Sequence, residues 1–96
     1  MASEERSQQS PGLAEGEDPS TTSVREARRW ISVYSELLKI EGEVLESVRS
    51  KLARMSEEAR EITEQTNLPS LERDAEHFRA RLAFWRERLS QLERSR

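Results

Sequence analysis

The chain has 96 residues, of which 33% are hydrophobic and 36% are charged, and its net charge is −3. This composition excludes a thick globular core but fits a helical protein that buries narrow apolar stripes. The acidic balance gives no basis for nucleic-acid binding, and the absence of cysteine excludes disulfides and thiolate metal sites.

The first segment, residues 1–22, is polar and rich in turn-forming residues. Leu13 is its only large apolar side chain after Met1. Because such a segment cannot bury enough apolar surface to offset the entropy of ordering, we predict a disordered acidic tail. The functional alternative is a docking or regulatory tail whose Ser and Thr residues accept phosphate.

A long helix follows. Ser23 and Glu26 fit a capping box, which marks a helix start. From there, mostly apolar residues recur at alternating spacings of three and four, which is the pattern of a coiled-coil seam. No proline interrupts this stretch, so we predict one helix over residues 23–66, with Gly42 as its weakest point. The seam positions are Val24, Ala27, Ile31, Tyr34, Leu38, Glu41, Leu45, Val48, Leu52, Met55, Ala59, Ile62 and Thr66.

A turn over residues 67–70 and a second helix over residues 70–94 complete the chain. Asn67 tolerates the conformation that closes helices, and Pro69 disfavours continuation. Short links join antiparallel neighbours, and the seams align when Leu52 faces Trp85. The second seam is Leu71, Ala75, Phe78, Leu82, Trp85, Leu89 and Leu92. We therefore predict an all-α fold: an antiparallel two-helix coiled-coil hairpin with one long and one shorter helix, which oligomerises into a helical bundle. The arginines of the second helix are expected to form a solvated face.

In this register residues 24–44 extend beyond the second helix. They carry a second apolar stripe beside the seam, and the two stripes together cover about 160° of the helix. A face this wide packs against two or more helices and promotes aggregation when it is exposed, so we predict that it meets another chain. The predicted partner-binding residues are Trp30, Ile31, Val33, Tyr34, Leu37, Leu38, Ile40 and Val44.

These features predict a non-catalytic protein–protein interaction module, an assembly or adaptor unit that binds through the apolar face of residues 24–48. Its expected partner is a second copy of the chain, in a dimer or higher oligomer, and another helical protein remains open. A small regulator that sequesters a protein partner is a further alternative.

We predict no enzyme activity, no cofactor and no small-molecule substrate, because a thin hairpin offers no pocket where a nucleophile could meet His77. Neither a nucleic acid nor a membrane is an expected partner. The chain has no apolar run of the ~20 residues that a bilayer crossing needs, and its start lacks the pattern of a secretory signal. We therefore expect a cytoplasmic protein.

A metal site is the alternative from another functional class. Asp74 and His77 place a carboxylate and an imidazole three residues apart on one helix. This spacing resembles the Glu-x-x-His element of ferritin-like di-iron proteins, with Asp in place of Glu. A two-helix chain that completes its bundle by oligomerising resembles the encapsulated ferritins. The resemblance implies a metal site at an oligomer interface, with Glu36 or Glu41 from a partner helix. Otherwise Glu41 is expected to be solvated at the hairpin end or to specify register.

Overall fold

The computed structural model describes residues 13–95, which contain helices and turns and no strand, so the all-α prediction is confirmed for this part of the chain. Helix α1 covers Val24–Leu52, α2 covers Glu57–Gln65 and α3 covers Asn67–Arg94. Only Thr66 separates α2 from α3, so these two form one bent helix. None of the helices in residues 13–95 combines the length and apolar character of a membrane span.

Helix α1 begins where the sequence predicts. Ser23 is its N-cap, and the Ser23 Oγ accepts a hydrogen bond from the Glu26 backbone N–H at 3.1 Å. The reciprocal half of the capping box is replaced by two other contacts. The Ser23 N–H donates to Thr21 Oγ1 at 3.2 Å, and the Glu26 carboxylate pairs with Arg29 at 3.5 Å. Ser23 therefore caps the helix with its side chain and forms a hydrogen bond to the preceding segment with its backbone N–H.

The predicted continuous helix over residues 23–66 is wrong. Helix α1 ends at Leu52, and the chain turns over residues 53–56. Arg49 and Lys51 lie in the last turn of α1, where positive charge complements the negative end of the helix dipole. These two basic residues are therefore a sequence feature that indicates the end of α1, although no glycine or proline directly follows it.

Ser56 starts the next helix as the N-cap of α2. Its Oγ accepts a hydrogen bond from the Ala59 N–H at 3.2 Å, and two glutamates in the first turn suit the positive end of the dipole. The predicted turn over residues 67–70 is also wrong, because the bend lies at Thr66, with φ of −120°. Pro69 lies in the first turn of α3, where its missing N–H removes no intrahelical hydrogen bond.

Helices α1 and α3 lie antiparallel along most of their lengths. Ion pairs join Arg28 to Glu93 at 2.9 Å and Arg49 to Glu72 at 3.0 Å, near opposite ends of this helical hairpin. Helix α1 has 29 residues and α3 has 28, so the return helix is long enough to cover the outgoing one. The prediction that residues 24–44 extend beyond the second helix is therefore wrong.

The hydrophobic core lies where the first half of α1 meets the second half of α3. The predicted layer of Leu52 with Trp85 is wrong, because Trp85 is 0% exposed in a cluster with Trp30 and Tyr34. Ile62, a predicted seam residue, is 62% exposed on α2. The buried members of the core cluster are Ala27, Trp30, Tyr34, Leu82, Trp85 and Leu92.

Gly42 lies inside α1 without interrupting it, and a Cβ added there would meet no atom within 4 Å. We expect Gly42→Ala to raise the free energy of unfolding by about 0.5–1 kcal/mol, because alanine loses less backbone entropy in a helix. Denaturant titration followed by circular dichroism measures this change. Gly16→Ala is the opposing control and should destabilise, since Gly16 has φ of +85°. A less stable Gly42→Ala chain would contradict an uninterrupted α1.

Candidate functional site

Residues 13–22, here termed the strap, are folded against the hairpin. This corrects the prediction of a disordered tail for the strap, whereas residues 1–12 of the predicted tail lie outside the described part of the chain. The strap is polar, and hydrogen bonds from both helices hold it, one from Tyr34 on α1 and others from Arg88 on α3. Its order therefore comes from polar contacts that the composition of residues 13–22 does not reveal.

Two consecutive turns shape the strap. The Glu17 N–H donates to the Ala14 carbonyl at 3.0 Å, and the Thr21 N–H donates to the Asp18 carbonyl at 3.1 Å. Gly16, with φ of +85°, takes the left-handed position that the first turn requires. The Asp18 carboxylate stabilises the second turn by accepting hydrogen bonds from residue 20, which lower the pKa of Asp18.

The side chain of Glu17 is the centre of the strap contacts and is 0% exposed. Its Oε1 accepts hydrogen bonds from Tyr34 Oη at 2.5 Å and from the Ala14 N–H at 2.9 Å. Its Oε2 accepts from Trp85 Nε1 at 2.6 Å and from Arg81 Nη2 and Nε at 2.8 and 3.3 Å. We term the side chains of Tyr34, Arg81 and Trp85 the Glu17 socket.

The socket selects a charged carboxylate. Burial alone would raise the pKa of Glu17, but the hydrogen bonds from the socket side chains and the Ala14 N–H hold that pKa below its ordinary value of 4.5. Burial, and then the hydrogen bond to Glu17, raise the pKa of Tyr34, so the hydroxyl remains protonated and donates. The Glu17–Arg81 ion pair is therefore formed at neutral pH, with the arginine side chain only 16% exposed.

Arg88 holds the other end of the strap. Its Nε and Nη2 donate to the Thr21 carbonyl at 3.1 and 2.8 Å, and Nη2 also donates to the Ser20 carbonyl at 3.3 Å. Arg81 and Arg88 lie about two turns apart on α3. The strap from Glu17 to Thr21 therefore runs parallel to α3. The buried part of the predicted wide apolar face is covered by α3 of the same chain, since Trp30 and Tyr34 cluster with Trp85, and another chain is not needed there.

The predicted partner-binding residues have three different environments. Trp30 and Tyr34 are only 4% and 2% exposed and belong to the chain's own core. The next four are half-buried and pack against that core: Ile31, Val33, Leu37 and Leu38. Ile40 and Val44 are 55% and 39% exposed. A contact with a partner chain thus stays a prediction for Ile40 and Val44, whereas Trp30 and Tyr34 are occupied within the molecule.

An open groove with a volume of about 550 Å³ adjoins these exposed residues. It lies at the bend of the hairpin, and Val44 is part of its lining. The lining residues are Val44, Val48, Thr66, Asn67, Ser70 and Leu71. Ile40 lies one turn earlier on the same side of α1. We term Ile40, Val44 and this groove the exposed patch.

Of the residues in the ferritin-like hypothesis, Glu41 and Asp74 lie close to each other within the chain. Burial, and then the charge and hydrogen bond of Asp74, raise the pKa of Glu41 above its ordinary value of 4.5. Glu41 is half-buried inside the hairpin, which corrects its predicted position at the hairpin end. The His77 ring lies 5.9 Å from the Phe78 ring. Within residues 13–95 of one chain, no group of three or more possible ligands could hold a metal ion, and the ferritin-like site, which needs a carboxylate from a partner helix, stays a prediction.

Sequence reasoning missed Glu17, Arg81 and Arg88, because it assigned Glu17 to a disordered tail and the arginines to a solvated face. One signal could have identified the contact. A buried tryptophan N–H or tyrosine O–H needs an acceptor, and Trp85 and Tyr34 were both predicted to lie on seams. Glu41 was the only carboxylate on those seams, so an acceptor from elsewhere in the chain was required.

The fold and these contacts define an all-α helical hairpin that is closed on one side by an N-terminal strap. Comparisons of the chain with known protein families, with curated proteins and with solved structures find no match. The proposed function therefore rests on the geometry of the chain itself.

Proposed function

We propose that the protein is a non-catalytic helical assembly module in which two copies bind each other through the exposed patch. The observation that carries the proposal is the exposure of Ile40 and Val44, at 55% and 39%. The earlier members of the same stripe, Trp30, Val33 and Leu37, are buried or packed against the core. Large exposed apolar side chains beside a groove are typical of binding surfaces.

A second copy is the occupant that the exposed patch favours. A two-fold symmetric interface uses one surface twice, so that surface must carry both a projection and a recess. Ile40 supplies the projection and the adjoining groove supplies the recess. Lys39 and Glu43 are both exposed beside Ile40, so an antiparallel arrangement brings unlike charges together. Such exposed pairs contribute only tenths of a kcal/mol, and apolar burial at Ile40 and Val44 supplies most of the affinity.

Sedimentation over a range of protein concentrations tests this function. The wild-type chain should show a monomer–dimer equilibrium, and the double substitution Ile40→Ser with Val44→Ser should weaken the dimer at least ~10-fold. Both residues are exposed, so helix content measured by circular dichroism should stay the same. Leu13→Ser is the control, because Leu13 is a 46% exposed apolar residue that is not part of the patch.

A wild-type chain that is monomeric at all concentrations would contradict the proposal, as would a double variant that dimerises like the wild type. The helix of a different protein is the alternative occupant of the groove. It would be indicated by a monomeric wild-type chain that captures a partner in pull-down experiments and loses that partner in the double variant.

A further inference from the structure

The Glu17 socket has the chemistry of a binding site for an acidic peptide segment. Tyr34 and Trp85 are 2% and 0% exposed, and both direct polar hydrogens at one carboxylate. Every partner of that carboxylate is a donor, and one of them is the Arg81 guanidinium. Arg88, next to the socket, donates hydrogen bonds to two backbone carbonyls of the strap. The site thus recognises a carboxylate that is followed by exposed carbonyl groups, and the strap is its occupant.

The connection between the strap and the hairpin is very short. Arg88 holds the carbonyl of Thr21, and Ser23 already caps α1, so Thr22 is the single residue between the two anchored positions. The chain also reverses direction there, because the strap runs parallel to α3 and α3 is antiparallel to α1. If this one-residue hinge extends instead of turning back, the strap leaves its own socket and reaches the socket of a second copy, which is the geometry of an exchanged dimer.

We propose that the strap is exchanged between two copies of the chain, so that Glu17 of each copy occupies the socket of the other. The exchanged arrangement forms the same hydrogen bonds from the socket and Arg88 to the strap as the folded-back one, which makes exchange a low-cost route to a dimer. Charge supports the same occupant, since Glu17 pairs with Arg81 and Asp18 lies near Arg88. This inference goes beyond the proposed function, because it uses a different surface from the exposed patch.

Mixing two full-length variants tests the exchange. Glu17→Gln keeps the socket but has no strap carboxylate, and Arg81→Gln keeps the carboxylate but has no guanidinium. Neither chain alone can form the Glu17–Arg81 contact, whereas a mixed dimer with exchanged straps contains one intact contact. Native mass spectrometry of chains distinguished by ¹⁵N labelling should show the mixed dimer enriched about 10-fold over the two homodimers.

Glu15→Gln mixed with Arg81→Gln is the control, because Glu15 is an exposed carboxylate outside the socket. That mixture should give mixed dimers in the statistical proportion. If either socket variant is unfolded alone, recovery of helix content on mixing supports the exchange, and lack of recovery overturns it. Mixed dimers in only the statistical proportion, or no mixed dimers at any concentration, would also overturn it.

The same mixture in an Ile40→Ser and Val44→Ser background separates this inference from the proposed function. Enrichment that persists without the exposed patch supports strap exchange whether or not the patch forms a dimer. Enrichment that disappears with the patch overturns strap exchange as an independent contact and assigns the dimer to the patch.

Discussion

Glu17→Gln is expected to lower the free energy of unfolding by about 2–4 kcal/mol, which is large for a small domain. The carboxylate accepts hydrogen bonds on both oxygens, and all of its partners are donors. A glutamine amide has one oxygen and one NH₂ group. In either orientation its NH₂ opposes a fixed N–H, from Ala14 at one oxygen position or from Trp85 at the other.

The comparison with Glu15→Gln isolates the socket from net charge. Glu15 is exposed and lies two positions before Glu17 in the same strap, so its substitution removes the same charge without touching the socket. We expect that change to stay within about 0.5 kcal/mol of the wild type. Urea titration of both variants measures the difference, and equal effects of the two substitutions would mean that Glu17 acts only through net charge.

Trp85→Ala is expected to destabilise the chain by about 3–5 kcal/mol. Trp85 is the one large side chain among residues 13–95 with no exposed surface, and it contacts Phe84 edge-on at a centroid distance of 5.2 Å. Its loss leaves a cavity in the core and removes one donor from Glu17. Thermal and urea unfolding measure the loss of stability.

Trp85→Phe separates the two contributions of Trp85. Phenylalanine retains much of the apolar burial but removes the indole N–H, so we expect a smaller loss, of about 1–2 kcal/mol. Ile62→Ala is the apolar control and should change stability by less than about 0.5 kcal/mol, because Ile62 is 62% exposed. A Trp85→Ala variant as stable as this control would contradict the described core.

The apolar face of α3 could be predicted from the sequence. The period of its seam fixes which side of the helix is buried, and the side chains of Ala75, Leu82, Trp85 and Leu92 are buried as expected. The start of α1 at Ser23 could also be predicted from the sequence, because capping depends on local residue types. The buried face of α3 and the start of α1 each depend on residues that are close together in the chain, so one sequence is enough to predict them.

The register in which α1 and α3 pair could not be predicted from the spacing of their apolar residues. A seam that repeats every heptad presents a similar apolar pattern after a shift by whole heptads, so periodicity alone leaves several registers open. The register is set by where the large aromatic residues gather, with Trp30 and Tyr34 beside Trp85. The Ser56 cap that ends the uninterrupted pattern was a usable local signal for a shorter α1.

The strap was beyond prediction from composition. A polar segment becomes ordered only if a specific site receives it, and this site combines Tyr34 from α1 with Arg81 and Trp85 from α3. Those positions come together only when the helices adopt the observed register. An error in the register therefore concealed the socket, and the uncovered apolar face was assigned to a partner chain.

An ionised Glu17 holds the strap on the hairpin, so the loss of stability caused by Glu17→Gln should depend on pH. The pKa of Glu17 is lower in the folded chain than its ordinary value of 4.5, so its stabilisation is complete above 4.5 and is lost as the pH falls through the lowered pKa. Glu41 has a raised pKa and the opposite pH dependence, but it is present in both chains and cancels in their difference.

We predict that the stability gap between the wild type and Glu17→Gln is constant at neutral pH and closes as the medium is acidified below 4.5. Urea titrations of both chains from neutral to acidic pH measure that gap. A gap that is the same at every pH, or that widens in acid, would contradict an ionised carboxylate in the socket.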